Sequence, residues 1–469
     1  MSVAASDTVA VEWVVATDPG LSRLVAGGTA PAEPAGDHTV HVEVAGLEPA
    51  TTYWYGFRLG DERSPVGRTR TLPAEGAPLD RVRLGVVCCA HYATGYFNAY
   101  ARLAERDVDL VVHLGDYIYE AEAKHEQWTR LHRPRGRCVT LPDYRARHAQ
   151  YKADPDLQRL HARHPVVAVW DDHELAGNAW RDGAAGHDPR DDGPWPGRRD
   201  AAVRAYREWM PSRLVDPADP QRVWRTVPIG GLAELVLLDT RLHGRERPAA
   251  GRRPVVGVRR RGRRLLGPAQ WAWLEATLPP ETAGAKRWTL VASQVVVAPI
   301  HLVAAGGRLG RKLGAVGGGV IVNSGQWDGY PEERERLLRL LAARPGGSLV
   351  LSGDLHSSWV AQLAPAGGGP PVAPEFTAPA VSAPSFARAL TPKVRGARAA
   401  LEWAIYRANP HVAWVETAGH GYLVLDVTAE RIRSQWWHVD RVGRPTGDER
   451  LAATWSVVRG DPRPRPGAG

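Results

Sequence analysis

The chain has 469 residues, 43% hydrophobic and 24% charged, with 60 Lys and Arg against 51 Asp and Glu for a formal net charge of +9. That size and apolar content predict more than one domain, and 3 cysteines, two of them adjacent, exclude a disulfide framework. No apolar stretch reaches the length of a membrane span, and residues 1–7 lack the basic and apolar regions of a signal peptide. The basic run at 252–264 reads as a solvated loop, so no specific nucleic-acid partner is expected.

Residues 1–78 form the first expected domain. Alternating segments at 9–15, 38–44 and 52–58, separated by turn residues, predict strands of a small β-sandwich. Residues 46–53 are similar to the turn-and-tyrosine segment of fibronectin type III-like modules, and a scaffold docked on the rest is expected. Residues 72–78 read as a linker.

From residue 81 the pattern alternates strand and helix. The run 84–87 ends in Cys88-Cys89-Ala90-His91, a helix is expected over 98–106, and 109–114 ends in Gly115-Asp116-Tyr117-Ile118-Tyr119-Glu120. This βαβ unit makes the two strands parallel neighbours. A polar helical insert at 141–164 precedes the run 166–170, which ends in Asp171-Asp172-His173-Glu174. Residues 183–198 read as a rim loop and 200–209 as a helix. The strand 232–238 ends in Asp239-Thr240-Arg241, a helix follows at 265–278, and the strand 288–297 contains Ser293-Gln294. Glycine-rich 304–319 reads as a mobile lid and 331–341 as a proline-started helix. The run 349–352 ends in Gly353-Asp354-Leu355-His356, where an extended segment would set Asp354 and His356 on one face. Strands are expected at 375–377 and 421–427, and 461–469 as a disordered tail.

Four apolar strands thus terminate in Cys, Asp, Asp-His and Asp-X-His. In open α/β sheets ligands bind beyond the carboxyl ends of strands. Carboxylate, imidazole, thiolate and phenolate, the last available from Tyr119, form a metal-ligand set. A bridging carboxylate such as Asp116 suits two ions about 3.5–4 Å apart.

The order Cys, Gly-Asp-X-X-Tyr, Asp-Asp-His-Glu, Gly-Asp-X-His resembles the calcineurin-type metallophosphoesterases, and among them the PhoD-like alkaline phosphatases. His113 to Glu120, Trp170 to Glu174, Leu238 to Arg241, Gly267 to Leu274, Trp327 to Tyr330 and Ser352 to His356 carry the resemblance. It implies an α/β fold, a four-layer αββα metallophosphatase sandwich over 79–460, behind the fibronectin III-like domain. It implies a phosphoesterase acting on phosphate di- and monoesters through a metal-bound hydroxide, as a monomer. Members are usually exported, and the chain departs from that pattern at its start. Cys89, Asp116, Tyr119 and His356 would hold Fe³⁺, and Asp116, Asp172 and Asp354 a second, calcium ion. His173 beside Asp172 would protonate the leaving alkoxide, Asn178 and Arg241 would contact phosphate, and Gln294 would complete the shell of the second metal. His91, His113 and Asp239 would support the ligands.

At the first motif members usually read Ala-Ser-Cys-Gln, whereas this chain has Val87-Cys88-Cys89-Ala90, so Cys88 competes with Cys89 as ligand. A competing expectation is a non-catalytic binding protein using the sandwich and the basic face; a broken ligand set would favour it, and none is broken. A single-metal hydrolase or redox enzyme is opposed by the second set of oxygen ligands.

Overall fold

A computed structural model describes residues 7–123, 127–248, 262–280, 288–304, 319–321, 324–344, 347–390 and 396–467. The expected basic loop at 252–264 and lid at 304–319 fall almost wholly outside these residues. The apolar runs that end in candidate ligands are parallel strands of two sheets. In the first sheet Arg81–Val87, Leu110–His113 and Val166–Ala168 run parallel and adjacent. In the second, Ala233–Leu237, Trp288–Ala292, Ser348–Ser352 and Ala373–Thr377 do the same. Each sheet has seven strands, the remainder antiparallel additions. Parallel pairing gathers the carboxyl ends of one sheet along one edge, which is why ligands far apart in sequence meet.

Alternate residues of these strands feed different cores. Leu84, Val86, Leu110 and Val112 of the first sheet pack with Leu235, Leu290, Leu349 and Phe376 of the second. Val87 and Val111 turn the other way onto Phe97, onto Tyr100 and Leu103 of helix Asn98–Ala104 just after it, and onto Leu157 and Leu160 of helix Pro155–Arg163. Val236, Val291 and Val350 likewise face Trp271 and Leu274 of helix Gly267–Thr277 and Leu337, Leu338 and Leu341 of helix Pro331–Ala342. Strands covered on both faces carry no polar alternation, so they read in sequence as continuous apolar runs. A parallel bridge between Cys88 and Ala380 ties the two sheets together beside the ligand-bearing edge.

The N-terminal region is one five-stranded sheet, with Val9–Ala16 between Leu24–Ala32 and Thr52–Leu59. The strand expected at 38–44 is absent: the segment is irregular and lies against the larger α/β body. His41 Nε2 lies 2.9 Å from the Glu208 carbonyl oxygen, and Trp209 Nε1 donates to Asp37 Oδ2 at 3.0 Å. With Arg145 donating to the Ala35 carbonyl at 2.7 Å, these bonds dock the domain on helices Leu141–Lys152 and Trp195–Trp209.

The expected rim loop at 183–198 is partly regular. It contains Gly183–Ala184, paired with Ala179–Trp180, the short helix Pro189–Asp192, and the start of helix Trp195–Trp209, which begins early because a proline sits in its first turn. The tail expected to be disordered is a strand: Asp461–Pro466 pairs with Glu449–Val458. It is the last strand of its sheet, and an edge needs ladder hydrogen bonds on one side only, which accommodates three prolines.

Candidate metal centre

The expected site residues come from the carboxyl ends of both sheets, and five of them share an unusual backbone state. Cys89, Asp116, Asn178, Asp354 and His356 have φ of 58°, 55°, 54°, 61° and 52°. Left-handed backbone at non-glycine residues is held only where surrounding structure over-determines it, and it concentrates at functional sites. The extended geometry expected at Gly353-Asp354-Leu355-His356 is therefore a turn, which sends Asp354 and His356 to different places.

Three groups of donors converge. Atoms of Cys89, Asp116 and His356 lie within 4.8 Å of one another, as do those of Asp116, Asp172 and His173, and those of Asp171, Asp172 and Asp354. Asp116 belongs to the first two groups and Asp172 to the last two. Tyr119 joins the first: its hydroxyl donates to Asp116 Oδ2 at 2.8 Å and lies 3.1 Å from His356 Nε2, whose Nδ1 is 2.8 Å from the Pro384 carbonyl oxygen. Cys89 is in this cluster, whereas the Cys88 thiol turns to the carbonyl oxygens of Ala378 and Pro379 at 3.8 and 3.7 Å.

Gly115, at φ 102°, makes the close approach possible, although not to a ligand. A Cβ there would sit 2.4 Å from the Asp171 backbone nitrogen, so glycine lets the Asp116 turn nest against the Asp171-Asp172 turn. Glu174 ties these turns together, accepting from the backbone N–H groups of Asp116 at 3.0 Å, Tyr117 at 2.6 Å and Asp171 at 2.8 Å.

The electrostatics call for cations. Burial raises the Asp116 carboxyl well above its usual range, and the charges of Asp172, Glu174 and Asp354 add to the rise against the opposing pull of His173. Burial also pushes up the Cys89 thiol and the Tyr119 phenol. Asp172 is buried too, yet Arg241, His173 and the Asn178 backbone N–H hold it down at about 2. Its buried Oδ1 accepts no hydrogen bond, and Arg241 lies 3.2 Å away. Acid oxygens, a thiol and a phenol crowded out of water, one oxygen left without a donor, fit hard cations of high charge.

His173 answers the other requirement. Burial would lower its pKa, but the charges of Glu120, Asp172 and Asp116 raise it well above the ordinary histidine range. Glu120 Oε2 lies 2.6 Å from His173 Nδ1 and its Oε1 accepts from the Gly177 N–H at 2.7 Å, so the ring is fixed and its charged form favoured. The side chain remains 26% exposed, open to a bound molecule. Its ring stacks on Tyr119 with centroids 4.2 Å apart, and His91 covers Tyr119 at 4.3 Å.

Two expected roles change. Arg241, expected at phosphate, is 1% exposed and its guanidinium is committed to Asp171, Asp172 and Asp354. Gln294, expected to complete a ligand shell, is taken up by Thr240 at 2.6 Å and by the Leu238 carbonyl at 2.7 Å. Asn178 is exposed, with its backbone N–H on Asp172. Asp239 accepts from the backbone N–H groups of Arg241, Leu242 and His243, shaping the turn that carries Arg241. His113 accepts from the Gly115 N–H at 3.2 Å and meets the Tyr100 hydroxyl at 2.8 Å. Sequence reasoning gave no role to Glu120, Asp171, Glu174 or Gln326, whose amide donates to Asp354. The first three stand inside the ligand motifs, a signal available in principle; Gln326 follows no motif.

Residues 84–436 match the family model of the PhoD-like phosphatases, and residues 2–73 that of the PhoD-like phosphatase N-terminal domain. The chain is 36% identical over 365 residues to alkaline phosphatase D of Bacillus subtilis (strain 168), an alignment covering 76% of this chain and 59% of that protein. A solved structure of PhoD superposes with TM-score 0.86 at 32% identity over 99% of this chain and 86% of that one. A purple acid phosphatase from yellow lupin seeds shares the fold, with TM-score 0.56 at 13% identity over 97% and 70% of the two chains. The chain belongs to the PhoD-like phosphatase family.

Proposed function

We propose that the chain is a metal-dependent phosphoesterase hydrolysing phosphate di- and monoesters, as its relative's name, alkaline phosphatase D, suggests. The observation that carries this reading is the chaining of three donor groups through Asp116 and Asp172, a run of carboxylates that would suit two ions side by side. Cys89, Asp116, Tyr119 and His356 would hold Fe³⁺, and Asp116, Asp172 and Asp354 would hold Ca²⁺. Bound there, such ions supply Lewis-acid activation of water and neutralise charge on a phosphoryl group.

The chain's own residues do the rest. His173, charged and aimed by Glu120, gives its proton to the leaving oxygen. The exposed Asn178 contacts a phosphoryl oxygen, and Arg241 keeps Asp172 and Asp354 facing one another while neutralising Asp171. The three core clusters support a four-layer αββα domain from residue 79 through the last strand. The N-terminal sheet belongs to a separate domain at 1–78, proposed as fibronectin III-like, and the chain is proposed to act as a monomer.

The test is nitrophenolate release from a chromogenic phosphodiester at mildly alkaline pH, before chelation, after it, and with Ca²⁺ restored. Turnover that falls and returns is expected; none in an iron-loaded, folded sample refutes the reading. Iron retained in Cys88→Ser and lost in Cys89→Ser is expected, and the reverse would transfer the ligand to Cys88.

A further inference from the structure

A cavity of about 510 Å³ lies at the seam between the N-terminal sheet and the catalytic body, apart from the metal centre. Both regions line it, with Trp13, Val42 and Phe57 on one side and Val166 and Met210 on the other. Trp13, Val42, Phe57 and Val166 stay half-buried although they face protein, so the seam is roomy where a domain interface is normally close-packed. The volume falls in the range of small-molecule sites, which favour domain interfaces.

The polar groups gather on one part of the lining. Arg68 donates to the Arg163 carbonyl oxygen at 3.3 Å and meets no carboxylate among the described residues. His164, 4% exposed, spends its N–H on the Ala104 carbonyl oxygen, 3.3 Å from Nε2. His161 spends its Nε2 on the Tyr117 hydroxyl at 2.8 Å. The Arg68 guanidinium, half-buried on this lining, is the cation left without an anionic partner there.

We infer that this seam is a second binding site, for an amphipathic monoanion whose apolar chain fills the cavity and whose carboxylate is bound by Arg68 with His161 as a hydrogen-bond donor. Burial lowers the His161 pKa, which keeps that ring neutral and leaves the charge to arginine. A bare inorganic anion would leave the Trp13, Val42 and Phe57 wall wet, and a neutral apolar molecule would leave Arg68 unanswered.

The test is isothermal titration of the full chain with laurate, dodecanol and acetate, each below its aggregation limit. Laurate is expected to bind saturably at one site, dodecanol about 10-fold more weakly for want of the charge-assisted bond, and acetate not at all. Arg68→Gln is expected to cost laurate a similar ~10-fold, and Val42→Trp, which fills the cavity, to abolish binding while unfolding at the wild-type temperature. No saturable laurate binding, equal binding of laurate and dodecanol, or undiminished binding in Arg68→Gln or a folded Val42→Trp would overturn the proposal.

Discussion

Two concentrations of buried titratable groups flank the Asp116 turn, and they have opposite fates. On one side stand the acids Asp116, Asp171, Asp172 and Glu174, each 3% exposed or less. On the other stand His113, on strand Leu110–His113, and His148 and Lys152 on helix Leu141–Lys152. Burial acts on both alike, disfavouring charge. It raises Asp171 strongly and Glu174 to about 8, and lowers His113 and His148 to about 3 and Lys152 to about 7. The acids also meet cations, Arg241 and His173, and stay open to more; His113 meets the Tyr100 hydroxyl, and His148 and Lys152 lie against the Tyr206 and Tyr117 rings. A crowd of buried acids around a left-handed Asp116, beside an accessible histidine, is a site. A crowd of bases held neutral is packing.

The comparison breaks most completely at Asp116, the residue shared by two donor groups. Asp116→Ala is expected to lower phosphoesterase turnover by roughly 10³-fold or more, beyond the cost of losing one stabilising donor, with loss of bound metal measured by elemental analysis. His173→Ala should cost roughly 10²–10⁴-fold on an alkyl phosphate, which needs a proton on its leaving oxygen, and far less on a nitrophenyl ester, which does not. Because Glu120 and the aspartates raise the His173 pKa, wild-type turnover of the alkyl ester should fall as pH rises through that raised value, and the variant should lack this alkaline limb.

Arg241→Gln removes the countercharge of a buried carboxylate set. A loss of about 3–5 kcal/mol in urea unfolding is expected, reduced by added Ca²⁺; a loss under 1 kcal/mol without Ca²⁺ would mean the acids are not charged together. Glu120→Gln should leave binding intact and lower turnover about 10–100-fold, the cost of releasing an orienting partner.

The smallest effect belongs to the basic side. Lys152 has a folded pKa of about 7 against an ordinary 10.5. Between those values the unfolded chain binds a proton that the folded chain does not, so stability falls as pH drops from 10.5 to 7 and the whole cost is present below 7. Lys152→Met should therefore raise the melting temperature more at pH 7 than at pH 10, and equal gains at both would refute the neutral-base account.

The ligand-bearing strand ends were legible because each is a local fact: a run buried on both faces, then a turn, then an acid, imidazole or thiol within a few residues. Cys89, Asp116, Tyr119, Asp172, Asp354 and His356 all fall in such places. What the partners do was not legible, because charge compensation depends on who arrives from elsewhere. Arg241 reads as an available cation until Asp171 and Asp354, 70 and 113 residues away, take its guanidinium. Gln294 reads as a ligand until Thr240, 54 residues away, occupies it.

Local pattern alone therefore determined the parallel strands, the order of the ligand motifs and the family they resemble, since apolar periodicity and turn chemistry act over a few residues. Tertiary structure alone decided that residues 38–44 are not a strand, that proline-rich Asp461–Pro466 is one, and that a cavity with an unanswered guanidinium lies at the domain seam. Those outcomes turn on which distant surface satisfies a backbone or buries a charge, and only the folded chain brings such surfaces together.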